Sequence, residues 1–104
     1  RLSLTDELTG LPNRRSLLAA TDAALESGDD VGVLLLDLDG FKDVNDSLGH
    51  TAGDEILVTL AHRMRRALPP SVLIARLGGD EFAVLVPRGD AILLLETAQR
   101  LRTA

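Results

Sequence analysis

Two acidic clusters stand at the ends of apolar runs in this chain. Asp37-Leu38-Asp39 follows the run 31–36. Asp80-Glu81 follows the run 72–77 after two glycines. Mg²⁺ prefers oxygen ligands, usually one or two carboxylates together with substrate phosphates and water. If the two clusters meet in space, they predict a metal site for phosphate chemistry; otherwise the first only begins a turn and the second is a pair of solvated charges.

Gly78 and Gly79 separate two apolar runs, 72–77 and 82–86. Adjacent glycines between apolar runs predict a tight hairpin, because glycine adopts the positive φ angles that such turns require. Without side chains, the two glycines also let a base or a phosphate approach the backbone. The hairpin places Asp80 directly after the turn, so this acid converges with Asp37 if the hairpin lies beside the strand that ends there.

The composition narrows the class of function. The chain has 104 residues, a net charge of −5 and no cysteine. An acidic chain is a poor match for a nucleic-acid backbone, so no nucleic acid polymer is expected as a partner, whereas a nucleotide with bound cations is compatible. The lack of cysteine excludes disulfides and thiolate metal sites and agrees with a cytoplasmic location. No apolar stretch approaches the roughly 20 residues of a membrane span, although the parent protein could carry an anchor elsewhere, since both ends look cut.

Other motifs for phosphate binding and hydrolysis are absent. The chain contains neither G-x-x-x-x-G-K-S/T nor G-x-G-x-x-G, and no serine lies in a G-x-S-x-G turn. The stretch from Asp37 also fails as an EF-hand, because Phe41 takes a ligand position and Lys42 replaces the required glycine.

Alternating helix and strand signals must position these acids. The pattern predicts a helix, a strand, two helices, a hairpin and a last helix, over 12–27, 31–36, 41–48, 51–68, 72–86 and 91–102. Thr51 and Asp54 match a capping box, which predicts where the longest helix begins.

The strand at 31–36 is apolar at nearly every position, which predicts a central strand buried on both faces. The helices that follow it predict a parallel first pairing, to which the hairpin adds an antiparallel strand. The expected fold is therefore an α+β, ferredoxin-like or palm sheet covered by helices. Three strands are few for so apolar a central strand, so further strands are expected.

Three segments resemble the motifs of one family. Gly78-Gly79-Asp80-Glu81-Phe82 is identical to the signature of GGDEF domains, the diguanylate cyclases that make cyclic di-GMP from two GTP. The segments 6–15 and 37–57 are similar to the opening and central motifs of that family. Together they cover most of residues 6–86 in the family's order. The chain is identified as a member of this family, which implies the nucleotidyl cyclase-like palm fold with the signature on a central β-hairpin.

The resemblance implies a role for each matching residue. A divalent ion, Mg²⁺ or Mn²⁺, would be held by Asp37, the backbone carbonyl of Leu38, Asp80 and Glu81. Asp80 would also be the base for the 3′-hydroxyl of GTP, and Lys42 would lie near the phosphates. The substrate-binding positions are Asn45, His50, Asp54, Gly78 and Gly79. Because one domain binds one GTP, the resemblance further implies catalysis in a face-to-face homodimer.

Several of these residues also have a simpler interpretation. Asp54 could serve only as the acid of the capping box. His50 could only stabilise a helix end, and Lys42 is equally compatible with a solvated charge.

The chain departs from the family pattern in three places. It lacks the later strands and the helix whose Lys and Arg contact the triphosphate, so residues 1–104 are expected to form a single but incomplete GGDEF domain. The segment 69–72 replaces the family's Arg-x-x-Asp, which predicts no feedback inhibition of that kind. Gly40 resembles the version found beside a phosphodiesterase domain, so a parent with fused sensory or phosphodiesterase domains is expected. The alternative to an active cyclase is an inactive GTP-binding regulatory module of such a composite cyclic di-GMP signalling protein.

Overall fold

Seven elements form the fold in the order predicted from the sequence. The computed structural model describes residues 3–87 and 91–103. The elements are α1 (Arg14–Glu26), β1 (Val31–Asp37), α2 (Phe41–Leu48), α3 (His50–Ala67), β2 (Leu73–Gly78), β3 (Glu81–Pro87) and α4 (Ala91–Thr103). The expected α+β class is confirmed. None of the described helices combines the length and the hydrophobicity needed to cross a bilayer.

The three strands pair in the order β1-β3-β2, and both pairings are antiparallel. The prediction that β1 is the central strand, with a parallel first pairing, is therefore wrong for the described sheet. The hairpin folds back so that β3 lies between β1 and β2. The two outer strands are therefore parallel to each other but do not pair. β3 occupies the centre because residues 82–86 are buried at every position, whereas Leu35 of β1 is 74% exposed.

Helices cover the sheet on both faces. On one face α3 packs Leu57, Ala61 and Met64 against a cluster that contains Phe82 and Val84. On the other face α1 packs Leu17 against a smaller cluster, formed by Ala75, Ala83 and Leu85. Because fully burying a large apolar side chain contributes about 1.5–3 kcal/mol, the two clusters hold β3 firmly in place. The strand that begins at the signature acids is thus the most constrained strand of the described fold.

Two helices begin at other residues than the sequence predicts. Asn13 caps α1, since its Oδ1 accepts a hydrogen bond from the Ser16 amide at 3.1 Å, and the helix starts at Arg14 rather than at residue 12. α3 begins at His50, and no side chain caps it. Thr51 therefore lies inside the first turn, and the predicted capping box is wrong. Gly49 takes φ +90° between α2 and α3, which lets the chain restart a helix at once.

Candidate functional site

The turn between β2 and β3 consists of Gly79 and Asp80. Gly78 and Glu81 are Cα partners across the hairpin, so the turn lies one residue later than predicted and contains Asp80. Gly78 has φ +148° and Gly79 has φ +50°, which confirms the positive angles expected for both glycines. Residues other than glycine rarely adopt such φ angles. A register shift between Arg76 and Gly78 forms a bulge at the end of β2, and bulges often redirect side chains beside functional sites.

The two acidic clusters meet across the sheet. Asp37, the last residue of β1, is the Cα partner of Glu81, the first residue of β3. Side chains of directly opposed residues project to the same face of a sheet. Both are exposed, and the half-buried Asp80 is adjacent to them in the turn. Among the residues that the structure describes, no three His, Asp or Glu side chains form a preassembled metal centre.

Arg76 fixes the signature turn from β2. Its Nε and Nη2 donate to the carbonyl of Gly79 at 3.1 and 2.9 Å. Its Nη1 donates to Asp6 Oδ1 at 3.0 Å and to Oδ2 at 3.2 Å. The side chains of Arg76 and Asp6 are 14% and 17% exposed. The opening segment of the chain is therefore tied to the turn that carries Asp80.

Asp6 is held in its charged form by three neighbouring groups. Partial burial raises the pKa of the Asp6 carboxyl, but hydrogen bonds from Thr9 and the charge and hydrogen bonds of Arg76 outweigh burial, so the pKa lies below its usual value. The Thr9 amide and hydroxyl donate to Asp6 Oδ2 at 2.9 and 2.8 Å. Sequence reasoning missed the roles of Arg76 and Asp6, because 70 residues separate them and no local pattern links them.

The candidate guanine-binding residues lie where α2 meets α3. Asn45 on α2 is half-buried, and Asp54 on α3 is exposed. Asp54 lines a cavity of about 460 Å³, together with Leu8, Thr51, Glu55, Val58 and Thr59. The Asn45 side chain lies against Gly53, the residue that precedes Asp54. The α2–α3 corner thus brings Asn45 and Asp54 into one region, near the opening segment.

The remaining predicted residues lie on accessible surface. Lys42 is exposed in the first turn of α2, and His50 is exposed as the first residue of α3. The carbonyl of Leu38 accepts a hydrogen bond of 3.4 Å from the Phe41 amide.

Comparison with known proteins identifies the family. The protein-family model described as "Diguanylate cyclase, GGDEF domain" matches residues 3–104. The chain is 52% identical over 85 residues to the diguanylate cyclase TpbB of Pseudomonas aeruginosa. The aligned stretch covers 78% of this chain and 20% of TpbB. It is 40% identical over 105 residues to the response regulator PleD of Caulobacter vibrioides, covering 97% of this chain and 23% of PleD. The chain thus spans about a fifth of the length of these curated relatives.

Solved structures give the same result. The diguanylate cyclase SiaD of Pseudomonas aeruginosa, in complex with its activator SiaC, superposes with a TM-score of 0.91 at 39% identity, over 97% of this chain and 40% of SiaD. The GGDEF domain of DgcB from Caulobacter crescentus, in complex with c-di-GMP, superposes with a TM-score of 0.88 at 36% identity, over 99% of this chain and 63% of DgcB. With the intact signature in its turn, this chain belongs to the GGDEF domain family of diguanylate cyclases.

Proposed function

We propose that this chain is part of an active diguanylate cyclase, which condenses two GTP into cyclic di-GMP and releases two pyrophosphates. The observation that carries the proposal is the pairing of Asp37 with Glu81 beside Asp80, in a turn with the complete family signature. In each transfer, the 3′-oxygen of one GTP attacks the α-phosphorus of the other. The new P–O bond forms as the bond to pyrophosphate breaks, and the hydroxyl proton passes to a base.

The acidic end of the sheet fits a divalent cation. Two carboxylates on one face, with a third in the adjacent turn, provide the oxygen ligands that Mg²⁺ or Mn²⁺ prefers alongside substrate phosphates. Asp37, Asp80 and Glu81 would hold the ion together with the carbonyl of Leu38, which accepts one long hydrogen bond within the described residues and has a second lone pair. When bound, the ion would neutralise phosphate charge and make the attacking hydroxyl more acidic.

Asp80 is the proposed base for the 3′-hydroxyl. An aspartate alone is a weak base at neutral pH, so its contribution depends on being held close to the hydroxyl. The turn supplies this restraint, because Arg76 binds the carbonyl of Gly79 immediately before it. The exposed backbone at Gly78 and Gly79 leaves room for the nucleotide to approach.

The α2–α3 corner is the proposed guanine site. Guanine presents N–H donors at N1 and N2, which the carboxylate of Asp54 can accept, and Asn45 can both donate and accept. Lys42 is proposed to approach the phosphates, and His50 is proposed to lie near the guanine. Catalysis by this arrangement would come mainly from positioning and charge neutralisation.

Assembly and context are part of the same proposal. The described residues provide one signature turn and one proposed guanine site, so we propose that two GTP are joined in a homodimer. Among the structural relatives, SiaD is bound to an activator, and the Vibrio cholerae protein LapD carries GGDEF beside EAL. We therefore propose a cytoplasmic GGDEF domain in a parent with fused sensory or phosphodiesterase domains.

The test is product formation from GTP and Mg²⁺, followed by mass spectrometry. We expect cyclic di-GMP from the unaltered chain and a loss of about 100-fold or more in Asp80→Asn, the loss typical of removing a general base. Asp46→Asn removes an exposed acid of α2 and serves as the matched control.

The outcomes separate the candidate functions. GTP binding without product would favour the inactive regulatory module over the enzyme, and a chain that neither binds nor converts GTP would contradict both. Full turnover by Asp80→Asn would refute the role of Asp80 as the base.

A further inference from the structure

Helices α2 and α3 approach each other closely at Gly53. A Cβ atom added to Gly53 would overlap Asn45 Oδ1 and would lie 3.0 Å from Asn45 Cγ and 3.3 Å from Phe41 Cζ. Real Cβ atoms essentially never lie under 3.0 Å from another heavy atom. Asn45 and Phe41 are four residues apart on α2, so both side chains project from the same face of that helix. Gly53 therefore leaves the space that the Asn45 amide occupies.

The backbone of Gly53 does not itself require glycine. Gly53 lies inside α3 and is absent from the glycines with positive φ. At such a position alanine is the better helix former, because glycine loses more conformational freedom on folding. The identity of this residue is explained by its neighbour on α2.

The Asn45 amide is positioned by packing. Asn45 Oδ1 is buried and has no hydrogen-bond partner within the described residues. A buried polar atom without a partner is costly, so packing must hold the amide in place. The surface that does so on one side is the bare backbone of Gly53.

We propose that Gly53 is a positioning residue for guanine recognition. Its missing side chain lets Asn45 lie beside the residue that precedes Asp54, so one base can contact both side chains. The inference rests on the proposed function, since it assigns Gly53 a part in the same guanine site. An added methyl group would displace the Asn45 amide from its place against Gly53 without altering any group that contacts the nucleotide.

The first test is Gly53→Ala, with GTP and ATP binding measured by calorimetry in the presence of Mg²⁺. We expect GTP affinity to fall about tenfold, the loss of one good hydrogen bond, while ATP affinity changes little. The preference for GTP over ATP should therefore decrease, which a general loosening of the fold would not produce. Ser47→Ala, a small change on the exposed side of α2, should leave both affinities unchanged.

A double-mutant cycle with Asn45→Ala shows whether Gly53 acts through Asn45. In the Asn45→Ala background, Gly53→Ala should cause no further loss of GTP affinity, since the displaced amide is already gone. Thermal unfolding gives a second readout that needs no nucleotide. Gly53→Ala should lower Tm despite its better helix propensity, and the double variant should regain most of that loss.

The outcomes distinguish this inference from the proposed function. A chain that binds no GTP contradicts the proposed function and the guanine role, while the Tm cycle still tests the contact. If the unaltered chain binds GTP, unchanged affinity in Gly53→Ala overturns the inference, as does an equal loss in both backgrounds. If Gly53→Ala fails to fold, the double variant must fold; failure of both variants to fold overturns the inference.

Discussion

Arg76 connects the beginning of the described chain to the signature turn. Its planar guanidinium binds the Asp6 carboxylate through one nitrogen and the Gly79 carbonyl through two others. A lysine ammonium is a single charge centre and cannot span both partners in this fixed geometry. The restraint on the turn therefore depends on arginine, and a positive charge alone does not replace it.

Replacing Arg76 with lysine should lower the free energy of unfolding by about 1–2 kcal/mol, because either the half-buried Asp6 carboxylate or the exposed Gly79 carbonyl loses its partner. Urea denaturation measures the change. Arg66→Lys, at an exposed position in the last turn of α3, is the matched control and should have little effect. Equal stability of the two variants would show that the pair of hydrogen bonds from Arg76 to the Gly79 carbonyl contributes nothing to stability.

The contribution of Asp6 to stability should depend on pH. Its carboxyl has a lower pKa in the folded chain than the usual 3.8, so folding favours the charged form. This stabilisation is fully present above pH 3.8 and is lost as the pH falls through the folded pKa. The stability difference between the unaltered chain and Asp6→Asn should therefore be constant above pH 3.8 and shrink as the pH is lowered below it, as measured by urea titrations at a series of pH values. A difference independent of pH would contradict the assignment.

The site residues differ in how far the sequence could predict them. Asp37, Asp80 and Glu81 stand at strand ends, and strand ends are visible in the apolar pattern. The one-residue shift of the turn depends on the bulge before Gly78, which requires knowing the register of both strands. The partnership of Asp6 with Arg76 spans the whole fold, and neither residue type by itself indicates a partner.

At the scale of elements, α4 packs on β1 through a close contact at Gly32. A Cβ atom at this buried glycine would overlap Leu94 Cδ2 and lie 2.8 Å from its Cδ1. Leu94 is packed against the cluster that contains Val84 and Val86. Gly32 therefore creates room for α4, a role that the apolar pattern of residues 31–36 did not indicate.

Gly32→Ala should destabilise the fold by about 1–3 kcal/mol, the usual cost of overpacking. The cost should be smaller in a Leu94→Ala background, since that change removes the atoms that the new methyl group would meet. Denaturation of the single and double variants measures the coupling. Leu95→Ala, whose side chain is 63% exposed on the same helix, is the control that should behave additively with Gly32→Ala.

The order of the strands could not be predicted from β1 alone. Its residues are apolar on both faces, but Leu34 and Leu36 pack toward α3 while Val33 and Leu35 remain exposed on the other face. Hydrophobicity showed that this segment is a strand. It did not show which neighbour would cover each face, because that depends on where the hairpin folds back and on α1, which packs beside β2 and β3.

At the scale of the whole molecule, β1 gives the described fold a strand edge that could associate with another protein chain. It pairs only with β3 among the described strands, and its outer face presents Val33 at 43% and Leu35 at 74% exposure. A strand edge with exposed apolar side chains is a template for pairing with another chain. We therefore expect the 104-residue chain to associate with itself as its concentration rises, through a surface separate from its folding core.

Leu35→Lys should reduce this association while leaving the free energy of unfolding within about 0.5 kcal/mol, because an exposed side chain contributes little to the core and a charge on an edge strand opposes pairing. Sedimentation velocity over a concentration series without nucleotide measures the effect. Leu48→Lys adds the same charge at a leucine that is 70% exposed on α2, away from any strand edge. If both variants reduce association equally, net charge explains the change; only a selective effect of Leu35→Lys assigns the contact to β1.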